Sequence, residues 1–118
     1  MSLPFPDPQS GLEVEPGFLH ELRQAGASDF VLLDCREDEE HSFCHIHGDV
    51  LVPLSRFVVS IEGVLSDLAA PVIVYCHHGM RSAQAASFLR AKGHVNAFSL
   101  RGGIEAWSTE VDPAMPRY

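Results

Sequence analysis

Cysteine is scarce in this chain, and the spacing of the few that occur excludes two kinds of site. Cys35, Cys44 and Cys76 are three in 118 residues, an odd number, and none of them forms a CxxC pair. A disulfide framework or a structural zinc site needs paired or closely spaced cysteines. We therefore expect free thiols in a reducing compartment, with the cytoplasm as the default location.

Long apolar runs are also missing. No segment approaches the roughly 20 residues that a membrane-spanning helix needs. The first residues, MSLPFPDPQSGLEVEP, contain neither a basic region nor a long apolar stretch, so no secretory signal is expected. The length of 118 residues suits one domain. We expect a single soluble domain without a membrane partner.

Acidic residues are absent between Leu68 and Ile104, although the net charge of the whole chain is -8. This cationic segment contains four basic side chains and three histidines, namely Arg81, Arg90, Lys92, Arg101, His77, His78 and His94. The overall charge disfavours nucleic acid as a partner. The segment itself suggests a small anionic substrate or an acidic partner, and a chance cluster of solvated charges is the alternative.

Strand and helix patterns alternate along the chain. Strands are predicted at residues 12–16, 29–36, 48–54, 71–76 and 95–100, and helical segments at 16–26, 37–40, 56–68, 82–91 and 102–107. Continuous apolar runs such as DFVLLDCR are typical of strands buried on both faces of a parallel sheet. The pattern predicts an α/β fold with about five parallel strands and helices on both faces. We expect residues 1–11 to be a flexible N-terminal arm, 12–108 the domain, and 109–118 a C-terminal tail.

Cys76 ends the fourth predicted strand, in the stretch VIVYCHHGMRS. Ligands of open α/β sheets bind beyond the carboxyl ends of the strands. A thiol reacts as its thiolate, so a reactive cysteine needs positive charge or hydrogen-bond donors nearby. A tight turn eased by Gly79 would aim the backbone N–H groups of residues 77–82 at the sulfur, and Arg81 would add charge. The alternative is that Cys76 is a small buried side chain at a strand end.

Three stretches of the sequence resemble the rhodanese family. CHHGMRS is similar to the family's active-site loop, in which a cysteine opens a six-residue loop that an arginine closes. VLLDCREDEEHSFCHIHG resembles the family's Asp-x-Arg, Glu-Glu and His-Ile-x-Gly stretch, and LRGGIEAW resembles its Gly-Gly…Trp segment. The matches stand in the family's order and span residues 12–108. The resemblance implies a rhodanese-like fold and a sulfurtransferase that needs no cofactor and no metal.

The resemblance also implies a role for each site residue. Cys76 would be the nucleophile that carries sulfane sulfur as a persulfide, taken from a small anionic donor such as thiosulfate and passed to cyanide, a thiol or a protein. Asp34 and Arg36 would support the loop. Substrate would be bound by the rest of the loop, namely His77, His78, Gly79, Met80, Arg81 and Ser82. Four residues separate Cys76 from Arg81, whereas phosphatases of the same fold have five, and the smaller ring suits a sulfur atom better than a phosphate.

A second class of function stays open at this point. Rhodanese-like domains also serve as interaction modules, or as sulfur relays attached to enzymes that activate sulfur-carrier proteins. The tail GGIEAWSTEVDPAMPRY resembles the carboxyl ends of that attached kind. Such a relay would transfer sulfur to a protein and turn over small molecules weakly.

Several further side chains invite an interpretation. We interpret Cys35 as a small core side chain, with a resolving thiol as the alternative. Trp107 is expected as a core anchor, and Met80 either as an apolar lip of the pocket or as a side chain packed on the sheet. His77 and His78 are expected to be exposed and to shape donor access, and His45 to hydrogen-bond within its own loop. These histidines, with His47 and the nearby Cys44 and Cys76, lack zinc-finger spacing, so a metal site is not expected.

Overall fold

The sheet of this protein has five parallel strands. A computed structural model describes residues 4–118. Its strands are β1 (Glu13–Val14), β2 (Val31–Asp34), β3 (Val50–Leu51), β4 (Val72–Tyr75) and β5 (Ala97–Leu100). They lie in the order β1-β5-β4-β2-β3, and all four pairings are parallel. The prediction of a five-stranded parallel sheet is confirmed.

Helices cover both faces of the sheet, as predicted. They are α1 (Pro16–Gln24), α2 (Asp38–Phe43), α3 (Phe57–Ser60), α4 (Met80–Ala91) and α5 (Gly103–Glu110), with 3-10 turns at Pro8–Ser10, Leu54–Arg56 and Ile61–Gly63. One core cluster joins α1 and α5 to the sheet and includes Trp107, which is buried as expected for a core anchor. The other core cluster joins α3 and α4 to the opposite face. Among residues 4–118, no helix combines the length and the apolar character that crossing a membrane requires.

The pairing of β2 with β4 positions the site. β4 is buried along its whole length between β2 and β5. Asp34 pairs with Tyr75, and the Cys35 backbone N–H donates to the Tyr75 carbonyl oxygen over 3.0 Å. The residues that follow these two strands, Cys35 and Cys76, therefore leave the sheet side by side at its carboxyl edge.

Two predicted elements are less regular than expected. The strand predicted at 48–54 is regular over Val50–Leu51 alone. Beyond it, the backbone N–H groups of Val52 and Leu54 still donate to the carbonyl oxygens of Asp34 and Cys35, over 2.9 Å each, and a 3-10 turn begins at Leu54. The helix predicted at 56–68 is a short α-helix between 3-10 turns. Its apolar period was still informative, because Phe57, Ile61 and Leu65 are all buried in one core cluster.

The predicted arm and tail both contact the domain. Residues 1–3 lie outside the described residues. The Phe5 ring lies 5.0 Å from the Phe18 ring, and Arg90 donates hydrogen bonds to the carbonyl oxygens of Pro8 and Gly11. α5 continues to Glu110, so the first two residues assigned to the tail are helical. The boundaries of arm, domain and tail stay predictions.

Candidate active site

The Cys76 sulfur lies in a tight turn between β4 and α4. The side chain is buried, and the Gly79 backbone N–H donates to Sγ over 3.0 Å. Ser82 Oγ lies 3.4 Å from Sγ and 2.7 Å from Ser99 Oγ, so the serine hydroxyl is itself held in place. Gly79 has a φ of 110°, which side chains other than glycine rarely adopt. The turn expected at Gly79 is therefore present, and it aims a backbone donor at the thiol.

The start of α5 supports the loop from behind. The backbone N–H groups of Ile104 and Glu105 donate to the carbonyl oxygens of Cys76 and His77, over 2.8 and 3.0 Å. Gly103 makes this approach possible, because a Cβ at that position would overlap both carbonyl oxygens. Its φ of 60° is a second reason for glycine. The Gly-Gly stretch noted in the sequence thus fixes the backbone of the candidate nucleophile.

The surroundings of Cys76 favour its thiolate. The neighbouring Cys35 thiol, as a hydrogen-bond donor, is the largest cause that lowers the pKa of Cys76, which falls from 9.0 to about 5 although burial opposes the change. The Ser82 hydroxyl and the backbone N–H groups of Ser82 and Gly79 act in the same direction. The contact with Cys76, together with burial, raises the pKa of Cys35. Cys35 is thus a buried side chain, as interpreted, and also a protonated neighbour of the candidate nucleophile.

Arg81 closes the loop but is already paired. Its guanidinium binds both carboxylate oxygens of Glu40, over 2.7 and 2.9 Å. The pair is partly exposed, with 34% and 22% of the side-chain surfaces accessible. Arg81 is the main reason that the pKa of Glu40 falls to about 2, so Glu40 is an anion at neutral pH. Glu40 therefore fixes the orientation of the Arg81 guanidinium and offsets part of its charge.

Other basic side chains of the cationic segment also have partners in the fold. Arg101 pairs with Glu15 and Glu110, which come from distant parts of the chain. Arg90 directs its donors at backbone carbonyl oxygens. Together with the Arg81–Glu40 pair, these contacts show that three of the four basic side chains in the cationic segment have acidic or carbonyl partners in the folded protein.

Asp34 and Arg36 form a buried ion pair next to the site. Neither side chain is exposed, and Arg36 donates to both carboxylate oxygens of Asp34, over 2.9 and 2.8 Å. Burial works against the charge of Arg36, but Asp34 and Tyr118 more than offset it, so the pKa of Arg36 is raised. Its remaining donors contact the Cys44 carbonyl oxygen and the Tyr118 hydroxyl. Arg36 thus connects Asp34 to the end of α2 and to Tyr118.

The two histidines of the loop differ. His78 is exposed, as predicted, but the prediction is wrong for His77, whose side chain is 18% exposed. The His77 ring is stacked between the rings of His78 and Tyr118, at centroid distances of 3.9 and 3.8 Å. Burial, and after it the neighbouring His78, lowers the pKa of His77, so its imidazole is neutral at pH 7. Met80 is 82% exposed, which excludes packing on the sheet and leaves it at the rim of the loop.

Within residues 4–118, two groups of side chains could hold a metal ion. They are His41 with His45 and Asp49, and His77 with His78 and Glu105, and the ligand atoms of each group lie within 4.8 Å of one another. In the first group His41 Nδ1 lies 3.0 Å from Asp34 Oδ2, and His45 Nδ1 lies 3.2 Å from the His41 carbonyl oxygen, the local contact expected of His45. In the second group His77 Nε2 lies 3.9 Å from Glu105 Oε1. The absence of a metal stays a prediction.

Three residues at the site were not identified from the sequence. Glu40 and Tyr118 reach it from α2 and from the tail, and Ser99 reaches it from β5. The Glu-Glu stretch gave a local signal for Glu40, whereas nothing in the pattern around Tyr118 pointed to a loop more than thirty residues away. Contacts of this kind depend on the tertiary fold.

Comparison with known proteins agrees with this geometry. The Rhodanese-like domain family matches residues 15–110. Thiosulfate sulfurtransferase GlpE of Haemophilus influenzae is 34% identical over 95 residues, which are 80% of this chain and 86% of that protein. The probable adenylyltransferase/sulfurtransferase MoeZ of Mycobacterium tuberculosis is 33% identical over 111 residues, 92% of this chain but 27% of that larger protein.

A solved structure shows the same architecture. The rhodanese-related protein of Thermoplasma volcanium superposes with a TM-score of 0.72 at 28% identity, over 86% of this chain and 94% of that one. The family match covers strands β2 to β5, the loop from Cys76 to Arg81 and the glycines at the start of α5. The chain therefore belongs to the rhodanese family.

Proposed function

We propose that this protein is a rhodanese-type sulfurtransferase in which Cys76 carries the transferred sulfur as a persulfide. The class of enzyme follows from the family and from relatives of similar length that are thiosulfate sulfurtransferases. The observation that carries the mechanism is the environment of Cys76: a buried sulfur with a backbone donor at 3.0 Å and a pKa lowered to about 5. Such a thiolate is ionised at neutral pH and is held at a strand end where substrates of this fold class bind.

The first half-reaction loads the sulfur. The Cys76 thiolate attacks the outer sulfur of thiosulfate, a new S–S bond forms, and the S–S bond of the donor breaks so that sulfite leaves with the electron pair. The outer sulfur of the resulting persulfide carries the negative charge. The Gly79 N–H and the Ser82 hydroxyl contact the Cys76 sulfur in the free enzyme, so they would stabilise the thiolate that attacks the donor. Arg81 would bind the sulfonate oxygens of the donor.

The second half-reaction discharges the sulfur. A nucleophile such as cyanide or a thiolate attacks the outer sulfur, the S–S bond to Cys76 breaks, and the Cys76 thiolate is restored. The protein needs no cofactor for either step, since one sulfur atom passes between two nucleophiles. Asp34 and Arg36 do not react in this scheme but hold the elements around the loop.

The second substrate of the proposed reaction is the sulfur acceptor. We propose cyanide or a small thiol as the acceptor, and a protein acceptor is also compatible with two apolar side chains near the loop, Met80 and Phe43, which are 82% and 56% exposed. The alternative, a sulfur relay or protein-interaction module with weak turnover of small molecules, is not favoured, because relatives matched over about 80% of this chain are named thiosulfate sulfurtransferases. A cytoplasmic location stays a prediction of the sequence.

The test is a steady-state assay of thiocyanate formation from thiosulfate and cyanide. We expect Cys76→Ala to abolish the reaction. Cys44→Ala changes a buried cysteine in the core cluster on the other face of the sheet, so it should retain kcat, with any change confined to KM because the Cys44 thiol contacts the tail at Pro116. Equal activity of the Cys76→Ala variant and the unaltered protein would overturn the proposal.

A further inference from the structure

The tail segment, residues 111–118, returns from α5 to the active-site loop along defined contacts. The Ser108 hydroxyl donates to the Met115 carbonyl oxygen over 2.9 Å. The Cys44 thiol donates to the Pro116 carbonyl oxygen over 3.5 Å. These two contacts hold the tail segment so that Tyr118 lies between α2 and the loop. The position of Tyr118 therefore depends on contacts with residues that are distant in the sequence.

The Tyr118 hydroxyl connects two ion pairs. It donates to Glu40 Oε2 over 2.6 Å and accepts from Arg36 Nη1 over 2.9 Å. Arg36 is the buried partner of Asp34, and Glu40 is the partner of Arg81. The Tyr118 hydroxyl thus links Glu40, which orients Arg81, to the fully buried guanidinium of Arg36.

The Tyr118 ring secures the other side of the loop. It stacks on the His77 ring at a centroid distance of 3.8 Å with an angle of 12° between the planes. The edge of the ring meets Phe43, the last residue of α2, at 5.8 Å. His77 directly follows the candidate nucleophile, so the ring limits the freedom of the residue next to Cys76.

The hydroxyl stays a neutral donor over the working range of pH. Burial, and after it the hydrogen bond to Glu40, raises the pKa of Tyr118 to about 12. The pKa of Glu40 falls to about 2, mainly because of Arg81, and the hydrogen bond from Tyr118 contributes to this fall. The phenol–carboxylate bond is therefore a charge-assisted one between pH 4 and pH 10.

We propose that Tyr118 is a positioning residue for the sulfur donor: its hydroxyl holds Glu40 on Arg81, and its ring holds His77 beside the nucleophile. The inference rests on the proposed function, because it assigns Arg81 to the donor. Tyr118 acts through Glu40 and His77 and not on the sulfur. It makes the orientation of the donor-binding guanidinium depend on the tail segment.

The main test separates the hydroxyl from the ring. Tyr118→Phe keeps the stacking on His77 and removes the bond to Glu40, whereas Tyr118→Ala removes both. We expect Tyr118→Phe to raise the KM for thiosulfate about fivefold with kcat within about twofold, since one hydrogen bond to a charged group is lost and part of that loss reaches Arg81. Tyr118→Ala should raise KM further. Arg117→Gln is the matched control, because Arg117 adjoins Tyr118 but binds Glu105 instead.

A double-mutant cycle tests the path of the effect. If Tyr118 acts on the donor through Glu40, Tyr118→Phe should change KM by less than about twofold in a Glu40→Gln background. An undiminished effect in that background would overturn the assignment to Glu40. Melting temperatures of all variants are recorded, because a residue that only stabilises the fold would lower the melting temperature and leave KM unchanged.

The outcomes distinguish this inference from the proposed function. The role of Tyr118 is overturned, and the proposed function is kept, if two results are found together. The unaltered protein loads sulfur on Cys76, and Tyr118→Phe has a KM equal to or below that of the unaltered protein. Unaltered protein that loads no sulfur on Cys76 overturns the proposed function, and the role of Tyr118 in donor binding with it. A raised KM for Tyr118→Phe at unchanged kcat, with the Arg117→Gln control unaffected, supports the inference.

Discussion

Replacing Cys35 with alanine should raise the pKa of Cys76. The thiol of Cys35 is the largest cause of the fall in the pKa of Cys76 from 9.0 to about 5, ahead of the contacts with Ser82 and Gly79. A hydrogen bond to a charged group contributes roughly 1.5 kcal/mol or more, and about 1.4 kcal/mol corresponds to a tenfold change in acidity. We therefore expect the acidity of Cys76 to fall about tenfold in Cys35→Ala.

The assay is the pH dependence of alkylation of Cys76 by a small haloacetamide, with the modified residue identified by peptide mass spectrometry. In the unaltered protein the rate should rise with pH through about 5, where the thiol becomes a thiolate, and then level off. In Cys35→Ala the midpoint should move upward by about one pH unit. Cys35→Ser retains a hydroxyl donor and should lie between the two.

Cys44→Ala is the control for this series. Cys44 is also buried but belongs to the core cluster on the other face of the sheet, so its removal should leave the midpoint unchanged. A Cys35→Ala midpoint equal to that of the unaltered protein would refute the reasoning, because Cys35 would then contribute nothing to the thiolate. A midpoint near 9 in the unaltered protein would show that neither Cys35 nor the contacts with Ser82 and Gly79 lower the pKa of Cys76.

Three further predictions concern the supports of the loop. Arg81→Ala should raise the KM for thiosulfate by about tenfold or more with a smaller change in kcat, and Arg81→Lys should restore binding in part, because an ammonium keeps the charge but loses the two-point contact with Glu40. Gly103→Ala should lower the free energy of unfolding by about 3 kcal/mol in a denaturant titration, because its φ is 60° and a Cβ would meet two carbonyl oxygens. Asp34→Asn should lower it by about 3 kcal/mol or more, because a buried guanidinium loses its counter-charge.

Each of these predictions has a result that contradicts it. An unchanged KM in Arg81→Ala would remove Arg81 from the donor site. Gly17→Ala is the control for the glycine, since no atom lies within 4 Å of a Cβ there, and equal stability of the two glycine variants would show that the close approach at Gly103 is unimportant. A melting curve of Asp34→Asn that matches that of the unaltered protein would contradict the buried ion pair.

The parts of the fold that follow from local patterns could be predicted from the sequence. The apolar runs around Leu33 and Val74 correspond to central strands, and Cys76 lies at a strand end as expected. The segment from residue 56 to 68 shows the limit of such patterns. Its apolar spacing identified the buried positions, but Gly63 and the β-branched side chains around it weaken a regular helix, and the backbone breaks into short turns.

The contacts that complete the site could not be predicted, for physical reasons. Arg81 and Glu40 are 41 residues apart, and their pairing depends on how α2 docks beside the loop. Tyr118 follows a segment without helical or strand periodicity, so its docking on His77 leaves no local signal. The role of Gly103 depends on the approach of α5 to the backbone of Cys76, which only the assembled fold reveals.

The most direct test of the account is the intact mass of the reduced protein before and after incubation with thiosulfate. We predict a gain of one sulfur atom that cyanide removes, that is lost in Cys76→Ala, and that persists in Cys44→Ala. A protein whose mass does not change with thiosulfate, or whose gain survives in Cys76→Ala, would contradict the assignment of Cys76 as the sulfur carrier.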